Sequence, residues 1–456
     1  MGVCRTITKG QVMNSCMIPV RSICFSAAFA LLALPASAQW TVTNEGAPTG
    51  CNHVISDGNW KIGVFKNSES NWTLGKQGNG QGTTLLAGSG DLDLSSVEAD
   101  CGVRLVSASN GALEKNSVIF SARLPDTLET ALGNTFNECK SLTNVVLGTR
   151  FKTTGEKMFR SCSALKTVTF NDGIEYIGPY GFSGCSSLEW DEFTFPASLK
   201  TLGDHAFEDC TKIIGTVTFP GVTNLTGSYQ FEDCTAITNF VAPRLVTTAK
   251  VMFSRCTALK SVSFSPDLET IVAQSFEKGD SQNTPQLESF FPTNMPKLKT
   301  FGEKAFRGQK QLAGNFDFSL SAITELPYYA FVDDEKVGNV YLPEGLTKIC
   351  GAALGYGKKA RVVWFYGPPP TMDSDALNPK SGGSWVLVAG RKHVAEWKSN
   401  DHVETITDTE RATAKTAAES FGLAGFKPIG KWKYQTGGYT HWVVEEPTPG
   451  FSMVLR

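Results

Sequence analysis

The chain has 456 residues, a formal net charge of −2 and 19% charged residues, so it carries neither the basic stripe of a nucleic-acid binder nor an acidic tail. Its length allows two or three compact domains or one long repeat array. Forty-four glycines and 29 phenylalanines point to many turns feeding one aromatic core.

Residues 1–38 read as a Sec-type signal peptide. Arg21 precedes an apolar run from Ile23 to Leu34, and Ala36-Ser37-Ala38 supplies the small residues of a cleavage site after Ala38. The run falls short of the roughly 20 apolar residues that a membrane span needs. Cys24 lies inside the run rather than after it, which argues against a lipid anchor, and Met13 or Met17 would give a shorter leader as the start. No later segment is apolar enough to span, so the mature chain is expected to be secreted or at the cell surface.

Residues 39–120 are rich in Gly, Asn and Ser, with short alternating stretches such as WKIGVF, and read as an amino-terminal β cap. GNGQG at 78–82 lacks the lysine and helix of a phosphate loop and reads as a turn. From 121 to 370 a repeat takes over. Its anchors are Phe136, Phe159, Phe182, Phe207, Phe231, Phe253, Phe276, Phe306 and Phe331, with Leu354 as a tenth, at gaps of 23, 23, 25, 24, 22, 23, 30, 25 and 23. In most units an apolar residue sits eight positions before the anchor and usually another sits five before it, as with Leu199 and Leu202 before Phe207. Glycines at 178, 203 and 302 follow the second of them and read as sharp turns.

Downstream of the anchor an apolar phrase such as Leu259, Val262, Phe264 alternates in, out, in, as a strand with one buried face does. A unit of this size cannot close its own core, but stacked units can. The predicted fold is therefore a repeat solenoid, mainly β with short turns or 3-10 segments, of about ten coils capped at both ends.

The phrases LKTLGDHAFEDC, LKTFGEKAF and IEYIGPYGFSGCSSL resemble the BspA-like leucine-rich repeats of bacterial surface proteins, built on L-x-x-I-G-x-x-A-F-x-x-C-x-x-L. The resemblance covers about residues 121–370. It implies a leucine-rich-repeat solenoid and a cell-surface protein that mediates adhesion, with an extracellular protein or glycan as partner. Gly279, Gln309 and Asp334 depart from the motif by replacing cysteine, and GDSQNTPQLESFFPTNMP inserts residues between Phe276 and Phe306.

Twelve cysteines in an exported chain suggest disulfides. Cys139, Cys162, Cys185, Cys210, Cys234 and Cys256 nevertheless fall in one column of the stack. Stacked Cβ atoms about 4.8 Å apart with parallel vectors suit neither a disulfide nor a tetrahedral zinc site. They read as small buried fillers. Cys51 and Cys101 are left as candidates for one disulfide, with free thiols as the alternative, and Cys350 reads as structural.

The prolines at 368–370 read as the end of the array. SWVLVAGRKHVAEWKS follows as a strand and short helix, a closing cap over 371–400. Residues 401–456 read as a helix at DTERATAKTAAESFG and aromatic-rich strands, a carboxy-terminal extension of no assigned module.

Chemistry is sparse. His53, His205, His393, His402 and His441 show no metal-ligand spacing, no G-x-S-x-G or H-E-x-x-H motif is present, and Glu208 with Asp209 reads as a solvated face. No catalytic residue, metal or cofactor is expected. The outward middle residues of the downstream strands form a column ending in Phe291, Asp317, Tyr341 and Trp364. Phe291, Tyr341 and Trp364 are the ligand-binding candidates, as aromatic anchors on a rigid sheet. The alternative is that they pack beneath the insertion or the cap. A protein or glycan binder is the first functional reading, a structural envelope repeat the second and a glycan-processing enzyme the third.

Overall fold

The computed structural model describes residues 39–77, 82–277, 286–355, 361–377, 385–433 and 440–446. The leader reading of 1–38, most of GNGQG and the first part of the insertion with Gly279 lie outside the described residues.

Each coil has three sides. One is a strand of two to six residues on the long-strand face, where Trp190–Asp191, Ile213–Thr218, Ile237–Ala242, Ser261–Phe264 and Ser289–Phe291 pair in parallel in that order. Another is a two-residue strand, as in Tyr176–Ile177, Thr201–Leu202 and Asn224–Leu225. The third is the turn that carries the anchor phenylalanine. Parallel pairing with a constant register follows from the alternation in the sequence, because a slip of one residue would expose every buried side chain.

Parallel stacking begins before residue 121. Gly90–Asp93 already pairs in parallel with Ile119–Arg123, and Trp72–Leu74 with Leu105–Ala108. The antiparallel run Thr41–Thr43, His53–Ser56, Lys61–Lys66 closes the first coil, and Trp40 and Trp60 are buried beneath it. Stacking also continues past the prolines. Thr371–Met372 pairs with Lys348–Ile349, and Val386–Ala389 with Val362–Phe365. Prolines at 368–370 sit at a corner between strands, where no ladder hydrogen bond is needed. Thr440–Glu445 then adds in parallel to Val386–Ala389, and Lys427–Lys433 and Val403–Glu404 finish the sheet in antiparallel fashion.

All nine anchor phenylalanines are buried, and consecutive rings stack with centroids 5.1–6.1 Å apart and planes 2–23° from parallel. A second aromatic column from the long strands, including Phe240, Phe264, Phe290 and Phe316, meets the first edge-on; Phe290 and Phe306 lie at 89° with centroids 5.0 Å apart. Burying each ring is worth roughly 1.5–3 kcal/mol.

Backbone hydrogen bonds at the anchor turn all run one way. The N–H groups of Tyr180, Phe182 and Gly184 donate to the carbonyls of Asp204, Ala206 and Glu208 one coil on, and those of His205, Phe207 and Asp209 to Ser228, Gln230 and Glu232. The geometry puts the residue two before each anchor in the left-handed region at φ 50–61°, from Asn134 to Tyr329, none of them glycine. Repeat glycines serve a different purpose from the sharp turn their position suggested. Gly203 and Gly302 have ordinary φ, but a Cβ there would lie 2.5 Å from Pro179 N and 2.2 Å from Ala273 N of the preceding coil. They are glycines because two backbones touch.

Val251 occupies the left-handed position at φ 50°, where a β-branched side chain is least tolerated. Val251→Asn is expected to raise stability by about 1 kcal/mol, seen as a higher denaturation midpoint at unchanged slope. An unchanged or lower midpoint would show that the left-handed turn carries no strain at this position.

Candidate binding face

The cysteine column lies beneath the anchor turn, where each anchor carbonyl has two lone pairs to satisfy in the core. Phe182 O accepts the backbone N–H of Cys185 at 3.1 Å and the thiol of Cys210, one coil on, at 3.2 Å. The thiols of Cys162, Cys185, Cys234 and Cys256 do the same for Phe136, Phe159, Phe207 and Phe231, and Cys139 donates to Leu113 O, at 2.9–3.1 Å. The cysteine is therefore a buried donor tying coils together as well as a filler. Where cysteine is missing, Gln309 Nε2 donates to Phe276 O while its Oε1 accepts Leu287 N–H. Asp334 takes the equivalent place in the next coil, and the buried Arg361 donates to its backbone carbonyl at 3.0 Å. Burial pushes the Asp334 carboxyl well up and the Arg361 guanidinium down to about 10, and their mutual attraction opposes both shifts.

Cys51 and Cys101 are both free, so the disulfide left open by the sequence is not formed. Their sulfurs are turned to different carbonyls, Cys51 to Gly75 O and Cys101 to Val97 O in its own short helix Val97–Cys101, each at 3.2 Å. Burial raises every cysteine of the column, Cys139 to about 12.

The outward column of the long-strand face is in register within each of its three sheets and shifts between Phe291 and Asp317, where Asp317 lies opposite Asn294. Val146 pairs with Thr169, Thr218 with Val241, Val241 with Ser263 and Ser263 with Phe291, while Asp317 pairs with Tyr341 and Tyr341 with Trp364. Two strand positions upstream runs a second outward column of hydroxyls and amides, linked across coils by Thr167 to Asn144, Asn239 to Thr216 and Ser289 to Ser261.

The three aromatic candidates part company here. Phe291 is 53% exposed. Tyr341 is half-buried, its ring stacked on Trp364 with centroids 5.7 Å apart. Trp364 is only 7% exposed and is removed from the candidate surface: Phe426 packs edge-on against it at 5.5 Å, and Ala418 and Leu423 share its apolar cluster. The cover is the carboxy-terminal extension. Its helix Asp408–Ser420 starts with a capping box, in which Thr407 Oγ1 accepts the Glu410 N–H and Glu410 reaches back to the Thr407 N–H. Val386 and Val388 complete the covered patch on the sheet. Sequence reasoning left cover by the insertion or the cap open but did not place it in this extension, because the covering residues lie some 60 positions downstream in a segment without a repeat. The aromatic change at Tyr341 and Trp364 was the available signal, and it marked an internal contact.

The extension also forms a cleft of about 610 Å³ lined by Asp408, Arg411, Ala412, Lys415, Gly425, Phe426, Lys427 and Pro428. In the strand Thr440–Glu445, His441 is fully buried, with Nδ1 accepting the Trp385 N–H at 3.0 Å, and burial pushes its pKa down to about 4.

The BspA type leucine-rich repeat model matches six copies over residues 94–189, 188–313 and 282–363. The chain belongs to that family. Among solved structures it is similar to a leucine-rich repeat protein from Bacteroides ovatus at 16% identity, covering 60% of this chain and 88% of that one with a TM-score of 0.32. It is similar to a leucine-rich cell surface protein from Faecalibacterium prausnitzii at 15% identity, covering 75% and 89% at a TM-score of 0.28. It is also similar to the pneumococcal vaccine antigen PcpA at 13% identity, covering 75% and 95% at 0.32. No curated protein matches the chain. No helix among the described residues is long and apolar enough to cross a membrane.

Two outcomes follow from the buried groups. At pH 8 a thiol reagent is expected to leave Cys139, Cys162, Cys185, Cys210, Cys234 and Cys256 unlabelled in the native chain and to label all six after unfolding, read by mass spectrometry; native labelling of the column, or its absence after unfolding, would contradict the buried free thiols. For His441 the folded pKa is lower than the unfolded value of 6.5, so the unfolded chain binds the extra proton between the two. Stability is then full above pH 6.5 and falls by up to about 3 kcal/mol as pH drops towards 4. His441→Asn, whose side-chain oxygen can still accept from Trp385, is expected to flatten this part of the stability profile; an unchanged slope would remove His441 from the account.

Proposed function

We propose that the chain is an exported, non-catalytic recognition protein that binds an extracellular protein or glycan through its long-strand face, with Phe291 as the anchor. The carrying observation is Phe291 itself. A large aromatic ring that is 53% exposed sits on Ser289–Phe291, the last strand of a five-stranded parallel sheet, held in register by Ser261–Phe264. Such a ring loses little conformational entropy on contact and brings a large apolar area to it.

The surroundings support the reading. Hydroxyls and amides of the second outward column run beside the ring, a mixture that suits polar recognition around one apolar anchor. The carboxy-terminal extension covers the sheet from the coils of Tyr341 and Trp364 onward, so it bounds the face. Family membership supports a surface role, and the reading of residues 1–38 supports export.

A panel of immobilised extracellular matrix proteins and glycans tests this with the wild-type chain, Phe291→Ser and the control Leu320→Ser, which alters a residue 71% exposed elsewhere. Phe291→Ser is expected to weaken any binding found by at least about tenfold and Leu320→Ser to leave it unchanged. Equal binding by Phe291→Ser and wild type would dismiss Phe291 as the anchor.

A further inference from the structure

The anchor turn carries a second set of outward groups, and the stacking brings together residues that are far apart in sequence. At the position two before the anchor, three successive coils present Tyr180, His205 and Tyr229. Their rings stack, with 4.7 Å and 12° between Tyr180 and His205 and 5.0 Å and 25° between His205 and Tyr229. The imidazole is gripped on both faces, so only its edge is available for bonding. Nδ1 lies 2.9 Å from Asp204 Oδ2. That contact lacks hydrogen-bond geometry, so Nδ1 is a buried ring nitrogen with a carboxylate beside it and no hydrogen-bond partner.

One residue past the anchor, four successive coils carry Ser183, Glu208, Glu232 and Ser254. Ser183 Oγ donates to Glu208 Oε2 at 2.9 Å, and Ser254 Oγ donates to Glu232 Oε1 at 3.2 Å. The same Glu232 oxygen meets Arg255 at 3.2 Å. Each glutamate is thus held through one oxygen by the coil on its outer side and keeps a second oxygen for another partner. One ring nitrogen of His205 and one oxygen from each glutamate all lie within 4.8 Å of one another. Asp204, Asp209 and Asp233 add negative charge beside them, against which Arg255 pairs with Glu232 and Asp233 and also attracts Asp209.

We propose that His205, Glu208 and Glu232 form a binding site for a divalent cation of the zinc class, with water completing its coordination. The donor set selects the ion. Two carboxylates alone would suit calcium or magnesium, but an imidazole favours zinc and its transition-metal neighbours. Ligands of a tetrahedral zinc lie about 3.3 Å apart, given metal–ligand distances near 2.0 Å, so the three partly exposed side chains close by an ångström or two on binding. Three protein ligands leave a position open to solvent or to a group on a partner. The objection that a straight column offers parallel ligands does not apply, because the histidine and the glutamates come from two columns that converge across one turn.

Equilibrium dialysis and calorimetry of the full chain with Zn²⁺ alone, followed by Co²⁺ spectroscopy, test the site. The wild type is expected to bind one ion, with cobalt d–d bands and no thiolate charge-transfer band. Glu208→Gln and Glu232→Gln keep the shape and the serine contacts, so folding is retained; each is expected to weaken binding at least tenfold, as is His205→Asn. Ser183→Ala, which only orients Glu208, is expected to weaken it about tenfold. Absence of stoichiometric binding by the wild type, a thiolate band, or wild-type affinity in the two glutamine variants would overturn the proposal.

Discussion

The structure depends on one constraint: successive coils must lie in strict register at the anchor turn. There the backbone spends its N–H groups on the next coil, three at a time, which requires a left-handed residue in every turn. A left-handed non-glycine residue costs about 1–2 kcal/mol. The same turn buries a phenylalanine, stacks it on its neighbours and satisfies its carbonyl with a thiol from the following coil. Hydrophobic burial therefore offsets a backbone that would not form alone. Because each coil supplies what the coil beside it lacks, the ends need covers. At one end the cover is antiparallel strands over Trp40 and Trp60, and at the other an extension that continues the sheet.

What the sequence made legible was set by periodicity. The spacing of the phenylalanines identified every anchor, and the in, out, in alternation placed the strands and the outward column, down to the pairing of Ser263 with Phe291. The fate of the cysteines followed from stacking geometry. Their role as donors did not, because it depends on which lone pair of a carbonyl remains open, a detail no spacing encodes. Glycines at 203 and 302 were legible as necessary but not as points of backbone contact, since their φ angles are ordinary. The limits of the array were misplaced at both ends for the same reason: prolines and irregular spacing interrupt the motif without interrupting the stack.

The candidate sites were less visible because they are products of non-local packing. Trp364 carries the same outward position as Phe291, yet a helix some 50 residues downstream covers it. Conversely, Glu208 looked like part of a solvated face, and His205 showed no metal-ligand spacing. Stacking sets them beside Glu232, 24 residues away, and clamps them with Asp204, Ser183 and Ser254. Repeated residues build the scaffold, and the residues that break the repeat are the ones free to carry chemistry. The long-strand face and the anchor turn present two such sets on different sides and in different coils of the same stack.

The central claim is that stability resides in contacts between adjacent coils. A double-mutant cycle measures this directly, using Phe182→Leu with Phe207→Leu, whose rings stack at 5.4 Å and 2°, and Phe182→Leu with Phe306→Leu, several coils apart. The account predicts a coupling energy of about 1 kcal/mol for the adjacent pair and none beyond error for the distant pair. Additive effects in the adjacent pair, or equal coupling in both, would contradict it.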